Sequence, residues 1–586
     1  MLCPRHFLVF FRFVMKFLLY YFLVFISVQI TSTFAQNITL PGDADTSRIK
    51  PPRLPLPSNK NFDLRIEAPE KAPVPKAVDE IEFEVKGVEI QGANYYDKNE
   101  NLEPFKKLIG KSIPLQTLRD AVTSLEQKYR SDGFFLVRVI IPPQEVSNGI
   151  FLIKVIEGFI EDVFIEGGSK NARKKVGKVI SKLVKKRPID LDSLERVLLL
   201  LNDLPGINGS GVIRQGATLG ASELVISLNP LPEKSYVATV NNGASKTMGL
   251  YSANINATIN NNDYPSSISL GFSSALKNDN DNFFNPILKA FNANYSTSLG
   301  NDGLIFSLAG VYANAQPKGS LKSLGILSKS YSMAPRLRYA LKRSRDESIY
   351  IETGLSVASS ETFLLDSSTT RDKSTVADVV LSLTKENVFG GSAQLNFSLS
   401  QGLDLFGSRS NSSKIPGPSV TNFKQAFSKY KVYGSFNKPL KPIQGNIKFD
   451  FQSQWTNDKI LAGEQITFGG PLIGRGYDGG AIAGERGFGF AIEISKPLKN
   501  NHLPIINSLN LELFTFVDYA ESRLLPDIRS SFNGQSSYIG SHGIGARLTE
   551  SSGLLIDLMI ARARNEKKSS DARKNPRFVI SLTKPF

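Results

Sequence analysis

A glycine-rich stretch over residues 468–480 holds the residue types best suited to a specific polar contact in this chain. Its centre is Arg475-Gly476-Tyr477, and Gly469 and Gly470 stand shortly before it. Arginine presents a rigid fork of donors that matches a carboxylate, and glycines allow backbone angles with which a loop can pack closely. Taken alone, the stretch fits an exposed flexible loop better than a buried arginine–carboxylate contact, so the remaining sequence has to supply a partner.

Catalytic chemistry finds little support elsewhere in the sequence. The 586 residues contain one cysteine, at Cys3, and three histidines. The sequence shows no metal-ligand spacing, nucleophile–base arrangement or phosphate-binding loop. Scattered acids such as Glu145 and Glu157 are interpreted as surface charge. The sequence therefore predicts a protein that is not an enzyme and that needs no cofactor or metal.

The first 80 residues are predicted to direct export and then to form a linker. A positively charged start precedes an apolar run, and Thr33-Phe34-Ala35 has the small residues of a cleavage site, so residues 1–35 are predicted to be a signal peptide. Met15 is an alternative start, and a membrane-anchoring helix is an alternative interpretation. Residues 36–80 are proline-rich, a composition that favours extended conformations.

Residues 81–230 repeat one order of elements, strand–helix–helix–strand–strand, in two consecutive units of 81–160 and 161–230. Apolar residues recur at helical spacing, as Leu118, Val122 and Leu125 do in the longest helix. The predicted helices cover residues 102–109, 114–131, 170–184 and 191–204.

A basic run, residues 170–187, lies in the second unit of this chain, whose net charge is +16. The run has nine cations and no acid. Without interleaved aromatic residues it does not resemble a nucleic-acid site. It predicts a solvated helix face, with anionic lipid or an acidic partner segment as neighbours to consider.

From residue 231 to residue 586, apolar side chains alternate with polar or small ones in runs of about ten residues, as at Leu395, Phe397 and Leu399. In a soluble sandwich the apolar side would be the core, whereas in a transmembrane barrel it faces lipid. The C-terminus separates the two, because the alternation continues to the last residue, as in strands that the outer-membrane assembly machinery reads. These C-terminal residues are Phe578, Ile580, Leu582 and Phe586. The sequence predicts a transmembrane antiparallel β-barrel.

Motifs in the first αβ unit resemble the TpsB transporters of two-partner secretion, the family of FhaC, ShlB and HecB in the BamA superfamily. The matching residues stand in the order of that family's first POTRA domain: Tyr129, Gly133, Pro142, Pro143, Gln144 and Gly158. The resemblance implies a barrel of about 16 strands preceded by two periplasmic αβ POTRA domains, 81–160 and 161–230. It also implies that the region of these six residues binds an exported partner.

The same resemblance implies a role for the glycine-rich stretch. In the family, the sixth extracellular loop folds into the lumen with an Arg-Gly-Tyr tip, here Arg475, Gly476 and Tyr477. The arginine pairs with an acid on the inner wall of the thirteenth strand. Counting strands after the loop makes Asp518 that acid, and alternation turns Asp518 and Glu493 inward, with Glu493 as a second contact. Some members continue into a plug helix near the N-terminus, but Pro51 and Pro52 would stop one here.

The implied function is transport across the outer membrane of a Gram-negative bacterium, with the POTRA domains in the periplasm. The transporter would recognise a secreted TpsA-type partner, haemolysin- or adhesin-like, and pass it unfolded to the cell surface. Other expected partners are outer-membrane lipid and, during biogenesis, the barrel assembly machinery; a monomer that binds no nucleic acid is expected. A BamA-like assembly factor is the alternative, although such factors typically carry more POTRA copies. A passive porin would not need the αβ units.

Overall fold

The computed structural model describes residues 44–58, 64–66, 82–146, 148–184, 186–245, 248–276, 286–410, 416–498, 509–527, 532–564 and 575–586. The predicted signal peptide lies outside these residues. The described chain begins with a 3-10 turn, Thr46–Arg48, and a short strand, β1 (Leu64–Ile66). Among the helices in the described ranges, none combines the length and apolar character needed to cross a membrane.

The first αβ unit packs helices on a three-stranded sheet of order β3-β6-β5, beside a β2-β4 pair. The apolar face of the long helix is buried against this sheet through Leu118, Leu125 and Tyr129. The elements are β2 (Glu82–Val85), β3 (Gly87–Gln91), α1 (Lys98–Leu102), β4 (Lys111–Pro114), α2 (Leu115–Ser131), β5 (Arg138–Ile140) and β6 (Ile150–Ile156).

The prediction of a helix over residues 102–109 is wrong in position. Helix α1 starts earlier because the side chain of Asp97 accepts a hydrogen bond from the backbone N–H of Glu100, which satisfies a free donor of the first turn. The chain then continues as a 3-10 turn, Glu103–Phe105, with Pro104 in its first turn.

The second αβ unit has the predicted order strand–helix–helix–strand–strand, whereas the first unit adds β2 and places β4 between its helices. The helices of the second unit bury one apolar cluster with the sheet. The elements are β7 (Phe159–Gly167), α3 (Lys170–Ile180), α4 (Leu191–Asn202), β8 (Ile207–Gln215) and β9 (Ala221–Pro230). The sheet order is β1-β8-β9-β7, so that β1, from the proline-rich N-terminal segment, is added in parallel to the edge of β8.

Sixteen antiparallel strands form a closed barrel, which confirms the predicted number and type of strands. The strands are β10 (Lys234–Asn241), β11 (Tyr251–Asn261), β12 (Ser266–Leu276), β13 (Leu288–Leu299), β14 (Leu304–Ala315), β15 (Leu327–Arg343), β16 (Glu347–Leu364), β17 (Ser367–Val388), β18 (Gly391–Leu403), β19 (Ser428–Leu440), β20 (Gly445–Thr456), β23 (Arg486–Leu498), β24 (Leu509–Leu524), β25 (Gln535–Glu550), β26 (Leu555–Ala563) and β27 (Arg577–Pro585). A two-stranded hairpin, β21 (Ile466–Phe468) and β22 (Ile482–Gly484), interrupts them. Alternate side chains such as Leu395, Phe397 and Leu399 are exposed on the outside, as expected for a wall that faces lipid.

Candidate functional site

The long connection between β20 and β23, residues 457–485, is called the lumen loop here, and its tip is buried against the inner barrel wall. Nη1 of Arg475 lies 2.6 Å from Oε2 of Glu493, and both side chains are less than one-tenth exposed. Asp518 accepts instead the backbone N–H of Arg475, with an N–O distance of 3.1 Å. The structure therefore corrects the predicted order of the two acids: Glu493 pairs with the guanidinium and Asp518 with the backbone.

Sequence reasoning missed three wall residues that complete this contact. Arg547 places Nη2 at 2.7 Å from the second oxygen of Glu493, so that one carboxylate serves two arginines. The ring of Phe516 lies 4.4 Å below the Arg475 guanidinium, in cation–π contact. Ser541 donates its hydroxyl to Asp518 at 2.6 Å and accepts the Gly476 N–H at 3.0 Å. Inward alternation along β25 was the available signal for Ser541 and Arg547.

A further missed residue, Arg577 at the start of the last strand, binds the other side of the tip. Its guanidinium donates to the carbonyls of Tyr477 and Gly243, and it lies 3.5 Å from a carboxylate oxygen of Asp478. The tip is therefore in contact with both the last strand and the connection that follows the first strand of the barrel. Tyr477 itself is fully buried in an apolar cluster with Phe468, Ile473 and their neighbours.

Two glycines are needed for this packing. Gly469 has φ near +112°, and a Cβ there would lie 2.2 Å from the carbonyl oxygen of Asp478. A Cβ on Gly476 would lie 2.8 Å from the backbone nitrogen of Ala563 and 2.9 Å from Cβ of Ser541. Larger residues would push the tip away from the wall. Gly470 also has a positive φ, and its N–H donates to the carbonyl of Tyr477.

A second insert, residues 44–58, lies along other strands of the inner wall and is called the strap here. It has no α-helix: beyond the 3-10 turn its described residues are not in regular secondary structure. Thr46 is fully buried and hydrogen-bonds Ser328 and Ser330 of β15. Residues 44–58, which contain Pro51 and Pro52, line the barrel wall in an irregular conformation.

Arginines of the wall bind the strap mainly through its carbonyl groups. Arg336 donates to the carbonyl of Pro52 at 3.0 Å. Arg338 donates to the carbonyls of Pro55 and Leu54 and also pairs with Glu352. Arg53 of the strap binds acids of the wall in turn. Its Nη1 lies 2.5 Å from Oε1 of Glu352, and its Nη2 lies 2.6 Å from Oδ2 of Asp378.

Three ion pairs link the lumen loop, the strap, the barrel wall and the second αβ unit. Glu464 of the lumen loop lies 2.8 Å from Nζ of Lys50 in the strap and also pairs with Lys429 of β19. At the end of α4, Asp203 accepts two hydrogen bonds of 2.9 Å from Arg343, whose side chain is fully buried. Arg343 also donates to the carbonyl of Ser58, so it joins the strap, the barrel and the second αβ unit.

Most of the six residues predicted to bind a partner have internal contacts. Tyr129 is fully buried and donates to Asn101 at 3.2 Å. Burial, followed by the charge of Glu157, raises the pKa of Tyr129, which keeps the phenol protonated. The Gln144 side chain forms hydrogen bonds of 2.7 and 2.8 Å with both backbone groups of Leu152.

The two glycines of this set lie where the αβ units meet. The Gly133 carbonyl accepts the N–H of Leu191, and the Gly158 carbonyl accepts that of Ile189. Pro143 is exposed and Pro142 half-buried. Gly133 and Gln144 are also half-buried, so four of the six residues, the proline pair among them, retain surface for a partner. At the other end of the chain, Phe578, Leu582 and Phe586 are exposed on the barrel exterior, and Ile580 is half-buried.

This architecture agrees with comparisons to known proteins. Residues 220–531, more than half of the chain, match the family model described as haemolysin secretion/activation protein ShlB/FhaC/HecB. The chain belongs to this family. Residues 83–158 match the ShlB-type POTRA domain, which confirms the predicted resemblance to TpsB transporters.

Individual relatives of the ShlB/FhaC/HecB family span most of the chain. Heme/hemopexin transporter protein HuxB of Haemophilus influenzae (strain 86-028NP) is 21% identical over 556 residues, 94% of each protein. Hemolysin transporter protein HpmB of Proteus mirabilis is 22% identical and covers 78% of this chain and 80% of its own length. The solved structure of CdiB from Escherichia coli has a TM-score of 0.68 at 18% identity, covers 89% of this chain and 93% of its own, and shares the fold. The chain is thus an outer-membrane β-barrel transporter of this family, whose members work with secreted partner proteins, and the assembly-factor alternative is set aside.

Proposed function

We propose that this transporter captures one exported, unfolded partner of the haemolysin or adhesin type at its periplasmic αβ units and passes it through the barrel to the cell surface. The observation that carries the proposal is the occupied lumen. Two inserts line the wall, and charged side chains take part in the attachment of both. A 16-strand barrel can enclose an aqueous channel, so an extended chain could pass once an insert moves.

Two contacts are proposed to hold the lumen loop during this cycle. They are the Arg475–Glu493 ion pair and the hydrogen bond from the backbone N–H of Arg475 to Asp518. Desolvating such a pair is costly, and removing one partner leaves an uncompensated buried charge. The pair therefore favours a few defined loop positions over a freely moving loop. Phe578, Ile580, Leu582 and Phe586 are proposed to serve as the assembly signal that inserts the barrel, which works as a monomer.

We place partner capture at the edge of β8. Extended peptides commonly bind by adding a strand to a sheet edge, and β8 already accepts β1 in this way, with Gly211, Val212 and Ile213 paired to the described residues of β1. The short β5 of the first unit is a weaker candidate, because the N–H of Val139 donates to Glu126 of α2 at 3.0 Å. A partner segment would replace β1 and extend along the remainder of β8.

A disulfide between β1 and β8 tests this proposal. Arg65 and Val212 are paired in register, a spacing that suits a disulfide, and Cys3, in the predicted signal peptide, is the one native cysteine. The variant Arg65→Cys/Val212→Cys should lose partner binding and export when oxidised and regain both after reduction. Arg65→Cys alone is the control. Normal export by the fully oxidised double variant would rule out capture at this edge.

A further inference from the structure

The proposed transport function gives no role to the basic run, residues 170–187, of the second αβ unit. In α3, Ala172, Val176 and Ile180 are buried in the core. Lys170, Lys174 and Lys178 follow one another at a spacing of four residues and are exposed. This spacing places them on one side of the helix. These three lysines are called the cationic face.

The helix is located directly at the barrel rim. Asn171 donates to Asp263, in the turn between β11 and β12, at 3.2 Å. Lys175 donates to the carbonyl of Gly300, and Lys182 lies 3.0 Å from Asp302, both in the turn between β13 and β14. On the helical wheel Asn171 and Lys175 are next to the cationic face, and Lys182 follows just beyond the end of α3. The lysines are therefore at the level of the turns.

The barrel surface beside these turns is the lipid-facing one. Tyr264, in the first turn, is 60% exposed, and Leu299, next to the second, is 40% exposed. Tyr339 lies on the outer side of β15, since its neighbours Arg338 and Ala340 are buried inside, and it donates to Asp302 at 2.8 Å. Exposed tyrosines at the end of a transmembrane wall mark the headgroup level of the bilayer.

Nothing within the described protein compensates the cationic face. Lys170, Lys174 and Lys178 have no acidic partner among the residues described. Like charges four residues apart destabilise a helix, and cations in its first turn oppose the helix dipole. Burial and the charge of Lys178 also lower the pKa of the adjacent Lys175. Residues 170–187 nevertheless contain nine cations and no acid that could offset these costs.

We propose that the cationic face binds the phosphate headgroups of anionic phospholipids in the leaflet that surrounds these turns. The lipid supplies the missing counter-charges and fixes the second αβ unit against the membrane surface. The outer position of the contacts at Asp302 and Tyr339 favours lipid over an acidic segment of the exported partner, which would enter at the lumen. Juxtamembrane lysines are attracted to anionic surfaces over about a Debye length.

The proposal is tested by measuring which phospholipids bind next to the lipid-facing surface of the full-length protein. The protein is placed in nanodiscs of phosphatidylcholine with spin-labelled phosphatidylglycerol or spin-labelled phosphatidylcholine, and the motionally restricted fraction is measured. The wild type should enrich phosphatidylglycerol, and 0.5 M salt should reduce the enrichment. Lys170→Gln/Lys174→Gln/Lys178→Gln should lower the relative affinity about fivefold or more. The triple lysine-to-arginine variant should retain it.

The matched control removes three exposed lysines from the first unit, as Lys98→Gln/Lys107→Gln/Lys111→Gln, and should leave the preference unchanged. Folding of every variant is checked by heat-dependent migration of the barrel on gels. Equal losses in both triple variants, or no preference in the wild type, would refute the proposal. So would a glutamine variant that keeps its lipid preference but loses binding of the exported partner, because the face would then belong to protein recognition.

Discussion

The lumen loop and the strap are both attached to the inner barrel wall, but by opposite chemical arrangements. The lumen loop brings its own arginine to acids of the wall, Glu493 and Asp518. The strap is held largely by arginines of the wall, Arg336 and Arg338, which donate to its carbonyls. Prolines have no N–H, so a segment rich in them offers the wall mostly acceptors, whereas the glycine-rich loop offers donors at close range.

The cations that the two inserts themselves contribute differ in solvent exposure, although the wall arginines Arg336 and Arg338 that bind the strap are buried. The side chains of Arg475 and Glu493 are 9% and 6% exposed, while that of Arg53 is 40% exposed. Breaking a buried pair leaves a charge without solvent, whereas water can replace the partner of an exposed one. Arg475 of the lumen loop is therefore expected to be held more firmly than Arg53 of the strap.

Removing the buried cation should have the largest effect. Arg475→Ala leaves Glu493 with Arg547 as its counter-charge, so the docked loop is expected to lose less than the roughly 3–5 kcal/mol that an unpaired buried charge would cost. Secreted partner in the medium should fall at least tenfold, while heat-dependent gel migration shows a normally folded barrel. Arg475→Lys, which keeps the charge, should retain part of the export. Wild-type export by Arg475→Ala would mean that the loop contact has no role in transport.

A second prediction separates the two acids of the wall. Glu493→Gln deprives Arg475 and Arg547 of a shared counter-charge, whereas Asp518→Asn keeps one carbonyl oxygen for the N–H of Arg475. Export and the thermal midpoint of the barrel should therefore both fall further for Glu493→Gln. A larger loss for Asp518→Asn would show that backbone docking, rather than the guanidinium pair, holds the tip.

The smallest effect is expected at the strap. Because Arg53 is partly exposed, Arg53→Ala should cost about 1 kcal/mol or less and leave the barrel's thermal midpoint nearly unchanged. It should instead raise the single-channel conductance or the open fraction in planar bilayers, since the strap leaves the wall more often. The comparison of the two inserts fails if Arg53→Ala lowers export more than Arg475→Ala does.

Local patterns predicted much of the architecture because they report backbone periodicity directly. Alternation placed a strand over residues 486–498, the range that β23 occupies, and it turned Asp518 and Glu493 inward, where both are buried. Helical spacing located α2 to within one residue of its start. The position of α1 was missed because a single side-chain cap at Asp97, rather than periodicity, sets its start.

The sequence could not decide which groups meet inside the barrel. Alternation along a strand shows on which side of the wall a residue lies, but not how far along the barrel axis it lies. The strand count of the family therefore favoured Asp518 over Glu493 as the partner of the guanidinium. The contributions of Arg577, Ser541 and Arg547 depend on strands distant in sequence from the loop. The position of the strap was equally hidden, since its contacts bridge about 280 residues of chain, as between Thr46 and Ser328.

By itself, then, the sequence determined a family, two αβ units, a barrel of sixteen strands and an arginine-bearing loop with inward acids nearby. The αβ units, the alternating strands and the inward acids follow from residue spacing along one segment, which fixes the period and face of each element. The family, the number of strands and the role of the loop follow from the resemblance of the motifs. Only the tertiary structure decided that Glu493 holds Arg475, that the strap lines the barrel wall and that β1 occupies the edge of β8. These facts depend on how barrel closure sets the heights of distant strands, and no local pattern encodes that.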